Sequence, residues 1–323
     1  MLLLAISSYD ISCSLKINKT VNDSPYLSDL SERDKPWDEH RANTDEAALY
    51  YGGTEEFNSY AQRMNSCSKF LDFRLVPEED EYKLKLDNAR FCRVKYCPVC
   101  QWRRSLMWKA RAFKILPMVV EAYPKYRWLF LTLTVRNCAI SELRGTLQWM
   151  NKSWQRMVQR KKFSAVGWIR TTEVTRGKDN SAHPHFHCLL LVKPSYFSGN
   201  SYIKQKDWVE LWRSCLKIDY DPVLDIRSLK FGQQPIELIP EILKYCVKES
   251  DLVSNHEWFL ELTRQMHRLR TIATGGVLKQ YLKQLEKEPE DLIGKDENKT
   301  EEEVDEGHLY FDWKHKEKKY KLK

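Results

Sequence analysis

The stretch Ala182-His183-Pro184-His185-Phe186-His187-Cys188-Leu189-Leu190-Leu191-Val192 governs how the rest of the chain is read. Side chains on a β-strand alternate between faces, so His185 and His187 share one face while Phe186 and Cys188 share the other. The run that follows is wholly apolar, and polar residues at the mouth of such a strand need partners. Two imidazoles one pleat apart can grip a divalent cation, but they can equally form a structural pair satisfied by hydrogen bonds. The metal reading requires a third ligand on a neighbouring strand. Trp168-Ile-Arg-Thr-Thr-Glu173-Val174 can pair with the histidine strand through the loop between Arg176 and Ala182, which makes Glu173 the candidate. A carboxylate beside two imidazoles, with positions left open for water and phosphate oxygens, suits Mg2+ or Mn2+. The competing reading of Glu173 is a surface carboxylate on an edge strand. His183 precedes Pro184 and is expected in the loop, outside the ligand set.

Outward from this strand, Arg127-Trp-Leu-Phe-Leu-Thr-Leu-Thr-Val135 is short and rich in aromatic and β-branched residues, which predicts a buried strand. Helical patterning follows from Ile140 to Arg160, then strands over Gly167–Thr175 and His185–Val192. A helix over Lys204–Leu216, a strand over Val223–Leu229 and a helix over Pro240–Ser250 complete the series. This order predicts an α+β fold, a central antiparallel sheet with helices on one face. Past Asp251 the pattern is helical to about Glu286, interrupted at Gly275-Gly276, and His308–Leu322 can add a strand or an arm. The expected organisation is an N-terminal polar and helical region (1–66), a zinc-binding segment with a basic helix (67–122), a nuclease domain (123–252) and a C-terminal helical region with an acidic linker (253–323). That helix, Gln101 to Glu121, is amphipathic and stops before Pro124.

Four cysteines fall within one short segment: Cys67, then Cys92-Arg-Val-Lys-Tyr-Cys97-Pro-Val-Cys100. A Cys-x-x-Cys pair on a tight turn presents two thiolates to one zinc, and Cys92 and Cys67 can complete a tetrahedral set. Such a closed site would be structural Zn2+, pinning a segment with little core of its own; the competing reading is a group of buried thiols. The remaining five of the nine cysteines are scattered and read as small core residues.

Lysine and arginine outnumber acids by 53 to 45, for a net charge of +8. Acids crowd the stretches from Asp23 to Glu56 and from Glu286 to Glu306, which leaves a basic middle carrying Arg103, Arg104, Lys109, Arg111 and Lys114. That asymmetry fits a polyanion partner, although a solvated basic face would look the same. No stretch approaches the ~20 apolar residues of a membrane span, and the opening Met1-Leu-Leu-Leu-Ala-Ile6 is short for a signal core, so no membrane partner and a cytoplasmic location are expected. Neither Gly-Gly pair leads into a phosphate loop, so no ATP-driven helicase domain is expected here.

In Glu241-Ile-Leu-Lys244-Tyr245-Cys-Val-Lys248, a helix would put Glu241 and Tyr245 on one face with Lys248 a turn further on. A tyrosine with a free pKa of ~10 needs nearby cations to act as a nucleophile. Lys248 can supply one, and Glu241 can act on a proton beside Tyr245. Alone, this is an ordinary amphipathic helix.

Taken in order, Phe130-Leu-Thr-Leu-Thr-Val135, then His185-Phe186-His187 before an apolar strand, then Tyr245-x-x-Lys248, resemble the three motifs of the HUH endonucleases. With the Cys-x4-Cys-Pro-x-Cys cluster and Glu241, the chain is similar to single-tyrosine replication initiators (Rep) of rolling-circle plasmids, from about Asp34 to Gly276. The resemblance implies an HUH/RRM-like sheet, with Thr132 and Thr134 beside the histidine strand. It implies that Tyr245 attacks a phosphodiester of single-stranded or hairpin origin DNA, forming a 5′-phosphotyrosyl link and freeing a 3′-hydroxyl primer. His185 and His187, with Glu173, would hold the catalytic metal, and Glu241 would activate water at termination in place of a second tyrosine. A host helicase and replication machinery would be partners. Two other readings stand beside this one. A single-tyrosine HUH transposase is usually shorter and lacks the cysteine segment. A non-catalytic zinc-containing single-stranded nucleic-acid-binding protein would stack bases on Trp128, Phe130, Trp168 or Phe186.

Overall fold

The computed structural model describes residues 24–78, 81–198, 201–229, 234–243, 247, 252, 255–285 and 307–323. In chain order the main elements are helices α1 (Pro36–Gly52) and α2 (Asn58–Asn65), strands β1 (Phe70–Glu78) and β2 (Glu81–Ala89), and helix α3 (Pro98–Ala122). Then come β3 (Arg127–Thr134), α4 (Leu143–Val158), β4 (Ala165–Arg176), β5 (Ala182–Val192), α5 (Gln205–Leu216) and β6 (Leu224–Ser228). A single turn at Ile239–Ile242 precedes α6 (His256–Gln265), β7 (Ile272–Gly275), α7 (Gly276–Leu285), β8 (His308–Lys314) and β9 (Lys319–Leu322). The fold is α+β with antiparallel sheets, as the alternation of strand and helix patterns predicts.

The chain forms two compact units, one of residues 1–104 and 291–323, the other of 105–290. The first has a four-stranded sheet, ordered β2-β1-β8-β9. Leu71, Phe73, Leu75, Leu84, Phe311, Trp313 and Tyr320 are buried on its inner face. Trp37 of α1 meets Phe73 edge-on at 6.5 Å and Tyr320 at 6.3 Å. The β1–β2 hairpin lies inside the zinc-binding segment expected over 67–122, and its alternation of Leu84 with Lys83 and Lys85 is an ordinary half-buried strand pattern.

The second unit is built on a five-stranded sheet ordered β6-β3-β5-β4-β7, with the histidine strand β5 at its centre. The sequence expectation of helices on one face is corrected here, because both faces are covered. Phe186, Cys188 and Leu190 point toward α4 and α5, where Trp154 and Trp212 pack edge-on and tilted against Phe186 at 6.5 and 6.4 Å. Residues of the opposite parity, Phe130, Ile169, Leu189 and Leu191, join Ile115, Leu116 and Val119 of α3, Ile239 and Ile242, and Leu278 of α7 in one core cluster. The reason lies in β5 itself: Leu189, Leu190 and Leu191 are all apolar, so both faces of that strand need cover.

Arg170 is buried on the α4 side, with Nη2 donating to Asn151 Oδ1 at 2.5 Å and its guanidinium 4.0 Å from the Phe186 ring centre. Burial pulls its pKa down to about 10, an effect that Cys188 partly opposes.

Residues 253–285, expected with the C-terminal helical region, belong to this unit because β7 pairs with β4. The Gly275-Gly276 interruption is the end of that strand. A Cβ on Gly275 would lie 2.3 Å from Trp168, and Gly276 has φ +57°, where a Cβ would meet the Val166 carbonyl oxygen at 2.0 Å. Only a residue without a side chain lets this short strand approach β4 and turn into α7. The last strands fall in the other unit, since β8 pairs with β1.

Candidate functional site

The hairpin of β4 and β5 determines which side chains meet. Arg176 pairs with Ala182, and the same register sets Glu173 opposite His185 and Thr171 opposite His187. On the other flank of β5, Thr134 and Thr132 of β3 stand opposite the same two histidines. Directly opposed residues share a face, so one patch carries two imidazoles, one carboxylate and three threonines. His183 is not in a loop: β5 begins at Ala182, and His183 pairs with Thr175. Its ring centre lies 5.3 Å from that of His185.

Glu173, His185 and His187 are each buried, at 3%, 8% and 6% exposure, although all are polar. Both imidazoles aim Nε2 at the same carboxylate oxygen: Glu173 Oε2 lies 3.1 Å from His185 and 2.9 Å from His187. The outer nitrogens have partners as well. Nδ1 of His185 is 3.2 Å from the His183 carbonyl, which requires it to carry the proton and donate. Nδ1 of His187 is 3.2 Å from Thr132 Oγ1, and Phe130 stacks on this ring at 5.7 Å. With its proton on Nδ1, His185 turns an Nε2 lone pair toward a carboxylate, acceptor against acceptor, and His187 does the same when its Nδ1 donates to Thr132 Oγ1. A cation between them resolves that conflict, and outer-nitrogen donors of this kind orient metal-binding imidazoles. One carboxylate and two imidazoles, their ligand atoms within 4.8 Å of one another, are a donor set that fits Mn2+ or Mg2+ with positions left over for water and substrate.

The turn that carries Glu241 is anchored on this same face of the sheet. Ile239, Ile242 and Leu243 are buried in the cluster that contains Phe130 and Leu189, and Ser105 Oγ donates to the Leu243 carbonyl at 2.7 Å. Glu241 is exposed. Tyr245 and Lys248 lie outside the described residues, as does most of the helix expected over Pro240–Ser250.

Cys67, Cys92, Cys97 and Cys100 converge in the first unit, all buried. Sulfur separations of 3.6 Å link Cys67 to Cys97 and Cys100, and Cys92 to Cys100. A tetrahedron of thiolates about 2.3 Å from zinc has edges of about 3.8 Å. Backbone amides point at the sulfurs: the Cys92 N–H donates to Cys67 Sγ at 3.4 Å, and the Arg93 N–H donates to Cys100 Sγ at 3.3 Å. Amide donors favour thiolate over thiol. Arg93 reaches this position with φ +57°, and Ser68, after Cys67, has φ +47°. The residues present thus fit a closed four-sulfur zinc site. Without a metal, the hydrogen bonds Cys67 makes with Cys100, Cys92 and Cys97, and then its burial, push the Cys67 thiol far up.

A family model described as "Replication protein" matches residues 83–321. The chain belongs to the replication protein family. Curated relatives agree with that membership and with the resemblance read from the motifs. "Protein rep" of Streptococcus pneumoniae serotype 2 (strain D39 / NCTC 7466) is 37% identical over 232 residues, 70% of this chain and 72% of that protein. "Protein rep" of Bacillus amyloliquefaciens is 36% identical over 282 residues, covering 79% and 80%. "Protein rep" of Lactiplantibacillus plantarum is 34% identical over 288 residues, covering 82% and 87%. No solved structure matches this replication protein significantly. Among its described residues, no helix is long and apolar enough to cross a membrane.

Proposed function

We propose that this replication protein initiates rolling-circle replication of a plasmid by nicking one strand of the origin, with Tyr245 as nucleophile. The observation that carries this reading is the convergence of two buried imidazole nitrogens on one oxygen of Glu173, on the sheet face where the turn leading to Tyr245 is anchored. The five-stranded antiparallel sheet is then an HUH sheet. Glu173, His185 and His187 would hold Mn2+ or Mg2+, which when bound would polarise the scissile phosphate and stabilise its developing charge.

The chemistry of the chain's own residues is a transesterification. Tyr245 releases its phenolic proton to solvent, its Oη bonds to phosphorus, the bond from phosphorus to the 3′-oxygen breaks, and that oxygen takes up a proton as a free 3′-hydroxyl. Lys248 stabilises the phenolate before attack. The product is a 5′-phosphotyrosyl link and a primer end. At termination Glu241 takes a proton from water, whose oxygen bonds to phosphorus as the bond to Tyr245 Oη breaks, and the released phenolate takes up a proton, so one tyrosine suffices for a round. The His183 carbonyl holds His185 in the tautomer that leaves Nε2 free, and Thr132 orients the His187 ring through Nδ1. The four cysteines hold a structural zinc. The DNA partner is single-stranded or hairpin origin DNA, and a host helicase supplies unwinding.

The test is direct. Incubation with single-stranded cognate origin DNA and Mn2+ is expected to give a covalent protein–DNA adduct that survives a denaturing gel. No adduct from the parent protein under several divalent metals would remove the nuclease reading. It would leave a replication protein that binds DNA without cutting it.

A further inference from the structure

We propose that the outer face of the β2-β1-β8-β9 sheet is a second site for single-stranded DNA, one that binds bases by stacking. The proposal rests on the reading above that the protein's substrate is DNA, but it concerns a different unit and a different property. Register sorts this sheet into two faces. Leu71, Phe73, Phe311, Trp313 and Tyr320 point into the core. Their neighbours point away: Phe70 opposite Asp312, Asp72 opposite Tyr310 and Arg74 opposite His308, with Lys321 opposite Asp312 and Lys319 opposite Lys314.

On that outer face stand rings that a core would normally absorb. Phe70 is 36% exposed and Tyr310 43% exposed. The two are stacked, centroids 5.6 Å apart and planes 17° from parallel, and His308 stacks on the far side of Tyr310 at 5.9 Å and 21°. Three rings therefore form a short stack on the outer face, Phe70 from β1 and Tyr310 and His308 from β8. Lysines share the face, Lys319 and Lys321 beside the Tyr26 ring. Lys323 Nζ lies 5.7 Å from the Phe70 ring, and Lys314, Lys319 and Lys321 share the face. Asp72, Asp87 and Asp312 stand among them: Asp72 accepts a hydrogen bond from His308 Nδ1 at 2.6 Å, and Asp87 lies 4.0 Å from Arg74.

Charge complementarity selects the occupant. A basic field attracts phosphates, and the solvent-facing part of the ring stack offers an apolar surface to unpaired bases. In a duplex the base faces are already stacked and cannot use such rings, so the surface fits a single strand.

The test uses the full-length protein and fluorescence anisotropy with a labelled oligothymidylate. Stacking contributes ~1–3 kcal/mol per base, so F70A/Y310A is expected to bind at least about tenfold more weakly than the parent. F70Y/Y310F, which keeps both rings, is expected to bind like the parent. On an oligonucleotide of the same length with abasic sites, parent and F70A/Y310A are expected to bind alike. If F70A/Y310A melts far below the parent, Tyr310→Ala alone carries the comparison, with a severalfold loss expected.

Three results would overturn the proposal: parental affinity of the alanine variants for oligothymidylate, an equal loss on the abasic strand, or a change in self-association by sedimentation with DNA affinity unchanged. Cleavage of a short nick-site oligonucleotide by the same proteins separates this site from the nicking reading. Adduct formation with parental binding by F70A/Y310A rejects the stacking site alone. Ring-dependent binding with no adduct from the parent rejects nicking alone.

Discussion

Replacing His187 with alanine is expected to reduce strand nicking by about a thousandfold while leaving single-stranded DNA binding within about twofold of the parent. A bound metal contributes several kcal/mol of charge stabilisation in the transition state, and ~4 kcal/mol corresponds to about three powers of ten. The substitution removes one of the two nitrogens aimed at Glu173 Oε2. It leaves a buried carboxylate facing a single imidazole, so Mn2+ affinity, measured by titration calorimetry, is expected to collapse with the rate. Thr132→Val is a graded companion. It keeps the ligand but removes the oxygen that fixes the ring through Nδ1, and a loss of about 10–100-fold in metal affinity or rate is expected. If His187→Ala binds Mn2+ and nicks like the parent, the histidine pair is structural and the metal reading fails.

The second large effect concerns folding. Cys97→Ser is expected to release zinc and destabilise the unit built on the β2-β1-β8-β9 sheet. Structural zinc contributes an apparent ~10–16 kcal/mol in small zinc-finger peptides, which lack a core without it. Here a core of Trp37, Phe73, Phe311 and Tyr320 stands beside the cluster, so part of the stability survives. A loss of ~5 kcal/mol is a reasonable share, which in a unit of this size lowers its melting temperature by about 10–20 °C. The effect reaches beyond the ligand. Thr44 Oγ1 of α1 accepts from the Val99 N–H at 3.2 Å and lies 3.6 Å from Cys97 Sγ, so the cluster ties α1 to the start of α3. Elemental analysis of the parent is expected to give about one zinc per chain. A metal-free parent with an unchanged melting curve would contradict the assignment.

The shared face of Glu173, His185 and His187 was legible because strands have a two-residue period and because hairpin arithmetic is short. Once Arg176 is paired with Ala182 across a tight loop, Glu173 must oppose His185, with no tertiary information needed. The cysteine cluster was legible from spacing for a similar reason, since Cys97 and Cys100 share one turn. The second half of the sheet was not. β7 is four residues long and ends in a glycine that a second glycine follows; it is a strand because Trp168 and its neighbours accept it, which local propensity does not encode. The β1–β8 pairing joins residues more than 200 positions apart, although Leu309-Tyr-Phe-Asp-Trp313 carries a clear alternation. Both helical layers were foreseeable from the unbroken Leu189-Leu190-Leu191 run, which calls for cover on each face. The outer row of Phe70 and Tyr310 was hidden for a different reason. Each looks like an ordinary core residue until distant strands fix which way it points. Glu241 and Tyr245 rest on sequence spacing, with the buried Ile239 and Ile242 supplying the structural anchor nearby.

The central claim joins the Glu173–His185–His187 face to a tyrosine nucleophile, and mapping the covalent link tests it most directly. Adduct formed with Mn2+ and origin DNA would be digested with trypsin and nuclease and sequenced by tandem mass spectrometry. The account predicts a nucleotide 5′-phosphate on Tyr245, with no adduct from Tyr245→Phe and none from the parent in chelator. A nucleotide on any other of the 16 tyrosines, or an undiminished adduct from Tyr245→Phe, would contradict it.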